Sequence, residues 1–70
     1  MVSDLLINVN ENIQKIRTSK GVSRSFVAKK CHKTPQWYWK VEKGQIVPDA
    51  NNLQQIALAL DVEVKNFFTK

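Results

Sequence analysis

The sequence of 70 residues has one cysteine, two glycines and two prolines, and it contains no apolar run longer than five residues. The single thiol, Cys31, excludes an internal disulfide, so the stability must come from packing alone. The apolar runs fall far short of the roughly 20 residues that a membrane-spanning helix needs, and no secretory leader is evident. We therefore expect a cytoplasmic protein without a membrane partner.

The chain is also too short to frame a deep pocket easily. It leaves room for one domain, 1–70, in which residues 1–8 form an N-terminal extension, and a chain of this size buries only roughly 60% of its unfolded surface. This disfavours an enzyme. The pair Cys31-His32 offers too few ligands for structural zinc and does not face inward as a catalytic pair. We expect no cofactor and no metal, with Cys31 in the core and His32 exposed.

Basic residues are unevenly distributed along the chain. Lysine and arginine total 11 against six acids, and nine of the 11 lie between Lys15 and Lys43, with Glu42 as the only acid. The segment favours binding to a polyanion such as a nucleic acid. A solvated, solubilising face is the alternative, and it is the better interpretation for Lys29 and Lys30. Charge alone does not distinguish DNA from RNA or from an acidic protein.

The first two helices are predicted from caps and apolar spacing. A helix from Val9 onward begins with Asn8 and Glu11 as a capping box, and it ends where Gly21 takes a left-handed conformation. A second helix of about two turns starts after Ser23, which is a good N-cap.

Three further helices follow. Thr34-Pro35 places an N-cap before a proline at the first helical position of a third helix, residues 35–43, which Gly44 ends. Asp49 caps a fourth helix, and its apolar stripe consists of Leu53, Ile56, Ala57 and Leu60. A last short helix at residues 64–68 returns Phe67 or Phe68 to the core. The fold class is therefore all-α, a compact bundle of five short helices.

Winding at about 100° per residue divides the third helix into two faces. Tyr38 and Val41 lie on the core face, and Trp37 lies at its edge. The opposite face carries Gln36, Trp39, Lys40 and Lys43. Trp39 either contacts a partner or is partly buried against Pro35, and the sequence leaves both open.

Together, the short second helix, the tight turn and the capped third helix form the helix-turn-helix plan. The specific segments are residues 21–31 (GVSRSFVAKKC), Thr34, residues 41–44 (VEKG), Pro48 and residues 53–62 (LQQIALALDV). With them, residues 9–68 resemble the phage repressor and Cro-type (XRE-like) helix-turn-helix family. The resemblance implies a lambda-repressor-like fold that binds double-stranded DNA in a bacterial or phage-infected cell, at the nucleoid.

The resemblance also implies roles for individual residues. Arg17 and Glu42 match a structural ion pair, and Gln36 and Lys40 match positions that read base edges. Gln suits adenine and Lys suits guanine, while Trp39 suits a thymine methyl or a sugar. We expect phosphate contacts from residues at helix ends, namely Ser23, Arg24, Thr34 and Lys43. Gln45 joins them by resemblance only.

The sequence departs from the family pattern at three positions. Lys33 precedes the third-helix cap where the family has an aliphatic residue, and Tyr38 occupies a usually aliphatic core position. Arg24 stands where glutamine is frequent, which exchanges a hydrogen-bonding contact for a charged phosphate contact.

We therefore interpret the chain as a sequence-specific transcriptional regulator, with residues 35–43 in the major groove and a two-fold dimer on a palindromic operator. The dimer candidates are Phe67 and Phe68 with the preceding loop, and a second candidate is the apolar stretch of residues 5–7. The alternative is a protein-interaction module on the same fold, an antirepressor or phage-host adaptor, using the aromatic cluster Trp37-Tyr38-Trp39.

Overall fold

The computed structural model describes residues 8–69, and all of their regular secondary structure is helical. The elements are α1 (Val9–Ser19), α2 (Arg24–Lys30), α3 (Pro35–Glu42), α4 (Ala50–Leu60) and a 3₁₀-helix (Val64–Phe68). The predicted all-α class is confirmed, but of the predicted five short helices only four are α-helices within residues 8–69. The fifth element spans five residues and is wound as a 3₁₀-helix, a form that suits short segments because its hydrogen bonds close after three residues.

Local chemistry at the caps sets where α2, α3 and α4 begin. The side chains of Ser23, Thr34 and Asp49 each accept a hydrogen bond from the backbone N–H three residues later, at 2.8–3.1 Å. Gly21, just after α1, has a φ of +68°, the left-handed conformation predicted from the sequence. These caps confirm the predicted starts of the three helices.

The predicted capping box at α1 is wrong. Asn8 has a ψ of 80° rather than the extended value of a capping residue, and its side chain makes no hydrogen bond to the helix backbone. Instead, Asn8 Nδ2 donates to Glu11 Oε1 at 3.1 Å.

The core collects residues from all five elements. α3 contributes Tyr38 and Val41, which are completely buried as its predicted core face requires, and Cys31 is buried after α2. The remaining buried apolar residues are Ile13, Val27, Ala28, Ile56, Ala57, Leu60 and Phe67. α3 is thus held from behind, and its opposite face is left at the surface.

The two phenylalanines of the 3₁₀-helix have different environments. Phe67 is completely buried, whereas Phe68 is 44% exposed. Asn12 of α1 fixes this end of the chain by donating hydrogen bonds to the carbonyl oxygens of Phe67 and Thr69. The ring of Phe67 therefore belongs to the core, and of the two dimer candidates only Phe68 has an accessible side chain. Residues 5–7, the other candidate, lie outside the described residues.

Phe67 and Phe68 offer a matched test of which ring belongs to the core. We expect Phe67→Ala to lower the free energy of unfolding by about 3–5 kcal/mol, because it leaves a cavity. We expect Phe68→Ala to lower it by about 1 kcal/mol or less. Urea unfolding of both variants measures the difference, and equal losses would contradict this assignment of the two rings.

Candidate nucleic-acid interface

The outer face of α3 is an exposed polar surface. Gln36, Trp39 and Lys40 are exposed along the helix, and Lys43 is exposed at its C-cap. The observed helix ends at Glu42, one residue before the predicted end. Nothing among the described residues covers this face, so a rod about two turns long is presented to solvent with its positive charges outward.

Trp39 is 41% exposed, so a large part of its side chain is accessible on this face. The ammonium group of Lys43, four residues on, lies 5.6 Å from the centroid of the Trp39 ring. This distance and the i, i+4 spacing are those of a cation–π contact along one helix face. Trp39 is thus held at the surface beside two of the predicted contact residues.

The aromatic cluster of α3 is divided between surface and core. Tyr38 is completely buried, Trp37 is half-buried, and Trp39 is exposed. Lys33 Nζ lies 5.5 Å from the Trp37 ring centroid, which gives this departure from the family pattern a packing role. The three aromatics therefore do not form the continuous patch that the protein-interaction alternative requires.

A buried ion pair fixes α3 to α1. Arg17 Nε lies 2.5 Å from Glu42 Oε2, and Arg17 Nη2 donates to Glu42 Oε1 at 3.3 Å. The Glu42 side chain is completely inaccessible, and that of Arg17 is 10% exposed. Arg17 Nη1 also donates to the carbonyl oxygen of Val22, just before α2. One guanidinium therefore joins α1, the turn before α2 and the last residue of α3.

Arg24 is a second partner of Glu42 that the sequence analysis missed. Its Nε donates to Glu42 Oε1 at 2.9 Å, and its side chain remains 40% exposed. The available signal was the isolation of Glu42 as the only acid in a segment with nine bases. The contact fixes the stem of Arg24 at the start of α2, while part of its guanidinium stays accessible.

The ionisation of Glu42 depends on its burial and on the groups that bind its carboxylate. Burial raises the pKa of its carboxyl group, but the partners of the carboxylate, Arg17 first among them, outweigh burial, so the pKa lies below the usual glutamate range. Burial, with the adjacent Glu42 charge, raises the pKa of Tyr38, which stays neutral. The Tyr38 hydroxyl makes no well-aligned hydrogen bond within the described residues. We attribute its position beside the charged pair to packing of the ring.

The residues predicted to contact phosphates lie at the start of α2 and at both ends of α3. Ser23 and Thr34 are exposed, and their side-chain oxygens cap the two helices. Lys43 and Gln45 are exposed just after α3. Lys29 and Lys30 lie on the outer side of α2, where Lys30 Nζ is 5.3 Å from the Phe26 ring centroid.

Other chemistry has little support in the described residues. Residues 8–69 contain no group of three or more His, Cys, Asp or Glu side chains that is arranged to hold a metal. Burial raises the pKa of the Cys31 thiol, the opposite of the shift that activates a nucleophile. Within the same residues, no helix is long and apolar enough to cross a membrane.

Known helix-turn-helix proteins are similar to this chain in sequence pattern and in fold. The family model for helix-turn-helix proteins matches residues 13–67. The restriction-modification controller protein C.AhdI from Aeromonas hydrophila is similar, with a TM-score of 0.82, 27% identity, and coverage of 89% of this chain and 90% of that one. A hypothetical transcription factor from Neisseria, NHTF, shares the fold with a TM-score of 0.80, 22% identity, and coverage of 90% and 72%. No curated protein matches the sequence.

Glu42→Gln tests the buried ion pair. Because the pKa of Glu42 is lowered by folding, its charge stabilises the protein above the unfolded-state pKa of about 4.3, and this contribution is lost as the pH falls through the lower folded value. We expect the variant to be about 3–5 kcal/mol less stable at pH 7, because two arginines lose their carboxylate, and to lose part of the acid dependence.

Urea unfolding between pH 3 and pH 7 measures both effects. Glu63→Gln is the control, because Glu63 pairs with Lys65 at 3.3 Å on the surface, where both side chains are at least 75% exposed. If the two variants had the same stability at pH 7, the anchoring role of Glu42 would be refuted.

Proposed function

Because the chain belongs to the helix-turn-helix family, we propose that it recognises a specific sequence in double-stranded DNA and binds it as a two-fold dimer. Family membership makes it a DNA-binding transcription regulator. In this motif the second helix enters the major groove, so α3 is the recognition helix. The observation that carries the proposal is the exposed outer face of α3, backed by a completely buried inner face.

Two polar side chains on that face are the proposed base readers. The amide of Gln36 matches the N6 and N7 groups of adenine, and the ammonium of Lys40 matches O6 and N7 of guanine. They lie four residues apart on α3, so both project from the same side of the helix over about one turn. Trp39, between them in sequence, is the third proposed base contact.

Phosphate contacts would set the depth and orientation of α3. The proposed contacts are the residues at the ends of α2 and α3, namely Ser23, Arg24, Thr34, Lys43 and Gln45. Arg24 has a defined geometry for this role, because Glu42 holds its Nε while 40% of its side chain stays accessible. The guanidinium nitrogens beyond Nε are therefore aimed by a buried carboxylate rather than free to sample many rotamers.

A dimer accounts for specificity that one short helix does not supply. Two copies related by a two-fold axis would place two α3 helices in successive major grooves, roughly 34 Å apart on a palindromic operator. Phe68 supports such an interface because it is 44% exposed. It borders an apolar groove of about 310 Å³, which Val47, Pro48 and Leu53 also line.

Selection of bound duplexes from a random pool tests the whole proposal. We expect enrichment of a palindrome, with half-sites about one helical turn apart, and affinity that falls as salt rises. Failure to bind random-sequence duplex at low salt, or binding that is indifferent to salt, would favour the protein-interaction alternative.

Two lysines, Lys40 on α3 and Lys43 at its C-cap, distinguish base reading from general attraction to DNA. We expect Lys40→Ala, like Gln36→Ala, to weaken binding to the selected site by about 1–3 kcal/mol while leaving random DNA much less affected. We expect Lys43→Ala to weaken binding to all sequences and to reduce the slope of log affinity against log salt by about 0.9.

Lys65→Ala is the matched control, because it removes the same charge from an 82% exposed side chain outside the basic segment. Equal losses on specific and random DNA for Lys40→Ala would contradict its role as a reader. Fluorescence anisotropy with both duplexes at two salt concentrations measures all of these changes.

A further inference from the structure

The outer face of α3 carries one large apolar group among polar ones. Trp39 exposes 41% of its surface, and its neighbours on the face are Gln36, Lys40 and Lys43. The three polar neighbours can form hydrogen bonds with DNA, which accounts for their place on a DNA-binding helix. Hydrogen bonding does not account for the exposed indole ring of Trp39, because the surface of the ring is mainly carbon.

The ring is also held in place. Lys43 Nζ lies 5.6 Å from its centroid and occupies one side, and the next residue along the chain, Lys40, projects from the same outer surface. An aromatic side chain has only two χ angles, so a contact of this kind favours one position of the ring. Trp39 is therefore an exposed apolar surface within one helical turn of both proposed base readers.

The major groove offers little apolar surface at the base edges. Adenine, guanine and cytosine present donors and acceptors there, whereas thymine adds its C5-methyl group. A methylated cytosine carries a methyl at the same ring carbon, and so presents the same apolar group at the same depth. The chemistry that matches an exposed indole on a recognition helix is thus a 5-methylpyrimidine.

We propose that Trp39 reads the C5-methyl group of a pyrimidine, so that the affinity of this protein for DNA depends on that methyl in thymine and responds to C5 methylation of cytosine. The inference rests on the proposed function, because it requires α3 to enter the major groove. It adds a chemical class of ligand, the 5-methylpyrimidine, and a covalent DNA mark to which binding responds.

The first experiment compares duplexes selected by the wild-type protein and by Trp39→Ala. We expect the wild-type half-site to contain a thymine next to the base pairs that depend on Gln36 and Lys40, and the variant to lose that preference alone. Because Trp39 is not part of the core, the variant should unfold at nearly the wild-type temperature, which thermal unfolding checks.

The second experiment removes or adds single methyl groups. Deoxyuridine in place of that thymine deletes the methyl and keeps every hydrogen-bonding group. We expect it to weaken wild-type binding about fourfold per half-site, the effect of burying one methyl-sized group, and to leave binding by Trp39→Ala unchanged. 5-Methylcytosine at the same position should bind the wild type more tightly than cytosine does, again without effect on the variant.

Lys65→Ala serves as the control variant and should respond to the methyl as the wild type does. Wild-type binding that is indifferent to deoxyuridine at every thymine would overturn the inference, and so would an equal methyl effect in Trp39→Ala. An affinity loss in Trp39→Ala that is independent of the methyl would place the ring against a sugar and also overturn it. Failure of the proposed function is distinct, since it appears as the absence of any selected sequence before a methyl is altered.

Discussion

A single buried carboxylate connects most of this small structure. Glu42 is the last residue of α3, and its side chain has no access to solvent. It receives Arg17 from α1 and Arg24 from the start of α2, and its own carbonyl oxygen accepts a hydrogen bond from Asn10. Desolvating one carboxylate is unfavourable unless it is paired, and here two guanidinium groups provide the pairing. The position of α3 relative to the two preceding helices is therefore set by charge and geometry as well as by apolar packing.

This arrangement separates support from contact on one short helix. Tyr38, Val41 and Glu42 hold α3 from behind, whereas Gln36, Trp39 and Lys40 face outward. Arg24 belongs partly to both groups, since one of its nitrogens binds Glu42 and the rest of its side chain reaches the surface. The same buried carboxylate thereby stabilises the fold and orients a cation beside α3.

Local chemistry made much of the fold predictable. The starts of α2, α3 and α4 follow from Ser23, Thr34 and Asp49, because a capping side chain needs only its own neighbouring backbone. Helical periodicity likewise depends only on nearby residues, and it correctly placed Tyr38 and Val41 in the core. The remaining features depend on more distant residues or on exact dihedral angles. Arg24 and Glu42 are 18 residues apart and meet only after folding, and a 3₁₀-helix turns by about 120° per residue, so α-helical spacing did not separate Phe67 from Phe68.

The division of α3 into a fixed inner side and a free outer side has a consequence for evolution. Side chains on the outer side can be exchanged without opening a cavity or exposing an unpaired charge, so substitutions there have little cost in stability. The inner side tolerates far fewer substitutions. Loss of Glu42 leaves two arginines without their carboxylate, and truncation of Tyr38 leaves a cavity in the core. Variation on the outer side and persistence of the scaffold are thus expected to coexist within the eight residues of α3.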